Sequence, residues 1–144
     1  MYHMKKTLLY TALVLGLFPV GYANAGSVNA CTTDNTPGLC WGCKLQEPTS
    51  GFFSSSGGWR LACTTPGFDG EDYHVSKEID DCVENREGTM GHGRGATQSC
   101  QNFTLEGNEL HADCRNGQGE YLHTSIDISR YFEWPSFWTI SCVE

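Results

Sequence analysis

The chain has 144 residues and a formal net charge of −8, with 39% hydrophobic residues, which is the scale of one small domain. Seventeen acidic residues against nine basic ones argue against phosphate backbones and anionic lipid surfaces, so neither nucleic acid nor membrane is an expected partner. Eight cysteines, an even number in so short a chain, read as four disulfides formed in an oxidising compartment.

Residues 1–25 read as a cleaved signal peptide: Lys5-Lys6 form a basic start, Leu8 to Tyr22 an apolar run broken by Pro19, and Ala23-Asn24-Ala25 a small-residue cleavage site. The expected mature domain is 26–144, secreted or periplasmic, and more acidic still without the two lysines. Gly26 to Leu39 is polar, with a Thr36-Pro37-Gly38 turn, and reads as a loop or a cystine-held arm. Lys44 to Gly58, rich in Gly and Ser, reads as mostly loop. Trp59-x-Leu61-x-Cys63 then has the period of a strand. Pro66-Gly67 and Asp69-Gly70 mark turns before Tyr73, Val75 and Ile79. The stretch Gly88 to Gly95 carries four glycines and reads as a linker, a possible hinge for exchange of segments between two copies.

The most regular stretch follows. Leu110, Ala112 and Cys114 alternate with His111 and Asp113, and Gly107-Asn108 has turn chemistry, so Phe103 to Cys114 reads as a hairpin closed by Cys100–Cys114. Arg115 to Gly119 reads as a polar loop and Glu120 to Thr124 as a strand. Ser125 to Ser129 reads as a helical turn capped by Ser125. The tail from Tyr131 to Cys142 is the densest aromatic segment. The same grammar in weaker form upstream gives two tandem repeats, roughly 40–90 and 97–142, with Val83 placed like Phe132. That alignment makes Cys43–Cys63 the counterpart of Cys100–Cys114, with Cys40–Cys63 the alternative. Cys31, Cys40, Cys82 and Cys142 then remain, open to three pairings, of which Cys31–Cys40 with Cys82–Cys142 is the one expected. No segment has the pattern of a long amphipathic helix, so the expected class is all-β.

The pattern Cys100-x-Asn102-x-x-Leu105-x-Gly107-x-x-Leu110-x-Ala112-x-Cys114, followed by Ser125-Ile126-Asp127-Ile128, resembles the cyanovirin-N homology (CVNH) family. So does Val83-Glu84-Asn85-x-x-Gly88-x-Met90. The resemblance implies a pseudo-symmetric, disulfide-rich, all-β lectin of two repeats, with no cofactor and no catalysis. It also implies a mannose-type glycan as ligand, while the Gly88–Gly95 hinge leaves the expected state a monomer or a segment-swapped dimer. Carried over, its sugar site places Glu84 and Asn85 with Arg94, Gln98 and Ser99, and with Arg115, Asn116 and Gln118 from the loop after Cys114. Carboxylate and amide groups bridge vicinal hydroxyls while Arg and Asn supply opposing donors. The family's second site falls near Thr64 and Thr65 and the end of the second repeat. There Trp134, Pro135 and Ser136 replace its polar residues, leaving one site or a rebuilt aromatic one.

Other constellations read as structural. Cys40-x-x-Cys43 has a redox spacing but no helix behind it. His74, His92, His111 and His123 show no metalloenzyme spacing and read as surface histidines, so no metal is expected. Asp80-Asp81 and Glu71-Asp72 read as solvated faces and not as a glycosidase pair. The alternative to a lectin is a secreted disulfide-rich module that binds protein through its aromatic tail.

Overall fold

The computed structural model describes residues 27–48 and 58–144; the expected signal peptide and most of the Gly/Ser-rich loop lie outside them. Among these residues the regular structure is strands and single 3-10 turns. Three strands, β1 (Trp41–Gln46), β2 (Arg60–Pro66) and β3 (Asp72–Glu78), form an antiparallel sheet, and the 3-10 turn Ile79–Asp81 follows. A hairpin comes next, β4 (Val83–Arg86) with β5 (Thr89–His92). After a second 3-10 turn, Ala96–Gln98, the plan repeats. A sheet of β6 (Cys100–Glu106), β7 (Glu109–Arg115) and β8 (Tyr121–Asp127) precedes the turn Ile128–Arg130, and a short pair follows, β9 (Phe132–Glu133) with β10 (Ser141–Cys142).

Alternation decides which face each strand buries. In β7, Leu110, Ala112 and Cys114 are buried, while Glu109, His111, Asp113 and Arg115 face the other way. Ile79 and Ile128 open equivalent turns, Val83 and Phe132 equivalent strands, and all four are fully buried in one core with Leu61 and Leu110. The first strand of each sheet carries a bulge, between Trp41 and Lys44 and between Gln101 and Thr104. Gly42 and Asn102 take the left-handed conformation there, which glycine adopts freely and asparagine tolerates.

The disulfides are Cys31–Cys40, Cys43–Cys63, Cys82–Cys142 and Cys100–Cys114, and no cysteine among the described residues is free. Cys100 and Cys114 lie opposite each other in the β6–β7 register. The N-terminal arm is tied down as well: Ala30 bridges to Glu133, and Thr33 N–H donates to the Asn108 side chain at 2.7 Å.

Three expectations are corrected. The glycine-rich stretch after Gly88 is not a linker as far as His92; it forms the turn and second strand of β4–β5. Glu87 and Gly88 both have positive φ, the geometry of a two-residue hairpin turn. The last strand of the second sheet runs to Asp127, and the following turn is capped by Asp127, whose carboxylate accepts from Ser129 N–H at 2.9 Å, and not by Ser125. Thr64 and Thr65 lie in β2 and are buried, so they do not form an exposed polar half-site.

Candidate functional site

The β4–β5 hairpin leaves the first sheet and docks on β8 of the second. Met90 N–H donates to Thr124 Oγ1 at 3.2 Å, and Gly88 rests on the Leu122 side chain. That crossing brings the hairpin tip beside the β7–β8 loop. Asn85 is the bracket: its amide Nδ2 donates to Ser99 Oγ and to the Arg115 carbonyl, both at 2.8 Å, and its Oδ1 accepts from Gly88 N–H at 2.8 Å. Ser99 carbonyl in turn accepts from Arg115 N–H at 2.9 Å. Three segments distant in sequence are thus fixed as one surface.

The loop itself is preformed. Asn116 Oδ1 accepts from the N–H groups of Gln118 and Glu120, at 3.0 and 2.9 Å, and leaves its own amide nitrogen outside these bonds. Glu87, at the hairpin tip, accepts from Gly117 N–H at 2.9 Å. Glu87 was not among the expected site residues. Its signal in the sequence was its place before Gly88, in a turn facing a loop of equal polarity.

Of the expected residues, Asn85, Ser99, Arg115 and the Asn116–Gln118 loop come together. Glu84 does not share Asn85's contacts. Strand alternation turns it the other way, where its carboxylate pairs with Arg86 and its methylenes cover Gly93. It is a half-buried strand residue. Arg94 and Gln98 are exposed around the Ala96–Gln98 turn, and Gln118 is exposed at the loop tip. Asp80, read as part of a solvated acidic face, instead anchors that turn: its carboxylate accepts from Thr97 N–H at 2.6 Å and from the Thr97 hydroxyl. Asp81 pairs with Lys77 at 3.3 Å.

The place related to this site by the internal repeat is aromatic. There the β9–β10 loop meets the β2–β3 loop. Trp138 packs edge-on against Phe68 and Tyr73, with centroids 4.7 and 5.5 Å apart, and Phe137 packs against Trp134. Phe68 is 69% exposed, Phe137 41% and Trp138 39%. Asp69 accepts the Tyr73 hydroxyl, a bond that holds the Asp69 carboxyl below its usual range and pushes the Tyr73 phenol up. Two grooves lie elsewhere: one of about 470 Å³ beside Asn35, Lys44 and His74, and one of about 380 Å³ under the arm at Thr32, Leu39 and Asn108. Thr64, expected near a second site, lines the first of these; neither is lined by a residue expected at the Glu84–Asn85 site.

No family model matches the chain, and no curated protein matches it in sequence. Solved structures do match. Microvirin in complex with mannobiose superposes with a TM-score of 0.52 at 17% identity, over 66% of this chain and 91% of that one. A variant of MoCVNH3 in complex with (N-GlcNAc)4 gives 0.53 at 12% identity, over 71% and 93%. The N. crassa protein NcCVNH gives 0.50 at 22% identity, over 58% and 82%. The chain therefore has the all-β cyanovirin-N-type fold, the architecture that the sequence pattern resembled.

Proposed function

We propose that the chain is an exported, non-catalytic carbohydrate-binding protein that takes mannose-type glycans at the surface joining the β4–β5 hairpin tip to the β7–β8 loop. Asn85, Ser99, Arg115, Asn116 and Gln118 form the floor and rim, with Arg94 and Gln98 beside them. Glu84 contributes from the flank, through its carboxylate and its partner Arg86. The observation that carries the reading is the Asn85 bracket, which fixes three separate segments before any ligand arrives. A weak ligand favours such a site, because ordering the loop on binding would consume the small gain from exchanging water bonds for protein bonds. The fold adds support, since two proteins that share it are described with sugars bound. Four disulfides and the absence of a membrane-length apolar helix among the described residues suit export.

Calorimetric titration with oligomannose should give affinities on the order of micromolar to millimolar for one short glycan. Asn116→Ala and Gln118→Ala should weaken it, and Glu84→Ala should cost roughly 1.5–3 kcal/mol if its carboxylate meets a hydroxyl. Unchanged binding in all three, with wild-type melting, places the site elsewhere. A second reading rests on the exposed Phe68–Phe137–Trp138 cluster, since contiguous apolar surface of this kind marks protein interfaces. A glycan array with no response, together with self-association or partner binding abolished by Trp138→Ser, would favour it.

A further inference from the structure

The outer face of the second sheet carries a chain of titratable groups that the proposed glycan site does not use. His111 on β7 and His123 on β8 sit diagonally across the register, His111 opposite Ser125 and His123 opposite Asp113. His111 Nδ1 and His123 Nε2 face each other at 3.1 Å, with ring centroids 5.2 Å apart and planes 23° from parallel. Behind His123, Nδ1 lies 3.1 Å from Asp113 Oδ1, and Asn102 Nδ2 donates to the other Asp113 oxygen at 3.0 Å. Behind His111, Nε2 is buried without a hydrogen-bond partner, although carboxylate oxygens of Glu109 and Glu106 lie at 3.4 and 3.9 Å.

Counting hydrogens shows what is missing. A carboxylate only accepts, so the Asp113 contact takes the single N–H of neutral His123 and leaves a lone pair on Nε2. If neutral His111 donates to that lone pair, its own Nε2 is a bare acceptor facing two carboxylates. If instead its hydrogen is on Nε2, the two inner nitrogens face each other as lone pairs. Either tautomer sets acceptors against each other, and a cation resolves the conflict.

We propose that His111 Nδ1 and His123 Nε2 bind a divalent transition-metal ion of the zinc or nickel type. At metal–nitrogen distances of about 2.0–2.1 Å, two imidazoles on one ion stand roughly 3.0–3.4 Å apart, so small ring rotations bring both lone pairs onto it. Asp113 serves as the outer carboxylate that fixes the His123 tautomer, and Asn102 fixes Asp113. Glu109 orients His111 from the far side, and water completes the coordination. Neither His74, in contact with the Thr64 hydroxyl, nor His92, stacked on Tyr131, is tied into this chain, and the disulfide-bonded cysteines offer no thiolate. The inference departs from the sequence expectation of surface histidines that hold no metal.

The test uses zinc and nickel ions alone, titrated into the oxidised protein by calorimetry, with histidine ring resonances followed by NMR. One ion should bind per chain and perturb the His111 and His123 rings but not those of His74 and His92. His111→Ala and His123→Ala should each weaken binding at least tenfold, and Asp113→Asn by about tenfold. His123 is mostly exposed on a sheet face, so His123→Ala should melt like wild type and serve as the decisive variant. Absence of binding overturns the proposal. So does binding indifferent to both histidine variants, or a pair that takes up a proton but ignores the ions. No sugar enters the measurement, so its outcome is independent of the glycan reading.

Discussion

Asn85 and Glu84 are neighbours with different roles, and stability separates them. Asn85 makes three hydrogen bonds, and its loss would leave Gly88 N–H, Ser99 Oγ and the Arg115 carbonyl without that partner in a partly buried seam. Asn85→Ala should therefore lower unfolding stability by about 2–3 kcal/mol, read by chemical denaturation. Glu84→Ala removes an ion pair with a largely exposed Arg86 and should cost about 0–1 kcal/mol. Equal melting of the two variants would mean that the bracket is not what fixes the surface. The sequence presented the pair as one acidic-amide constellation. Residue types show which groups can meet a sugar hydroxyl, but a four-residue strand is too short for its period to show that successive side chains part.

At the scale of elements, the informative contrast is between two hairpins. β6–β7 was legible because β7 alternates cleanly after the Gly107-Asn108 turn, even though the bulge at Gln101–Thr104 interrupts the period of β6. β4–β5 was not, because Gly91, Gly93 and Gly95 outweighed the Glu87-Gly88 turn and left only Met90 as a buried side chain of β5. What the glycines permit is close docking. A Cβ at Gly88 would lie 2.8 Å from the Leu122 side chain, on a residue with φ of 92°. Gly88→Ala meets both penalties, and about 1–3 kcal/mol of destabilisation is expected, with loss of any binding that depends on the hairpin tip. Gly107→Ala has a positive φ but open space around it, so it should cost less. If the two variants are equally stable, docking on Leu122 is not tight. The β9–β10 pair follows the same plan with a longer loop. Its tip reaches the first sheet's β2–β3 loop through Trp138, itself in the left-handed conformation at φ 65°.

Across the whole molecule, each hairpin reaches toward the other repeat's sheet, so neither repeat completes its surface alone. Cysteine parity and spacing made the cross-linked class legible, whereas the crossing depends on contacts between segments that no local pattern encodes. Three disulfides are local, with sequence separations of 9, 14 and 20. Cys82–Cys142 spans 60 residues and joins the entrance of β4 to β10. If cross-links act mainly by limiting the unfolded chain, loop length sets their worth: about 4.3 kcal/mol for the 60-residue loop and about 2.6 for the Cys31–Cys40 loop. Packing does not reverse that order. Cys31, Cys40 and Cys82 are buried and Cys142 half-buried, so paired Cys→Ala changes remove comparable buried volume from each. The Cys82→Ala/Cys142→Ala protein should therefore be less stable than Cys31→Ala/Cys40→Ala by about 1.7 kcal/mol, a difference of several degrees in melting temperature. It should also lose the mutual seating of the two hairpins, seen as faster amide exchange in β5 and β10 with the β6–β7 ladder still protected. Equal stability, or exchange spread evenly over both sheets, would show that the buried core, and not the long cross-link, holds the repeats together.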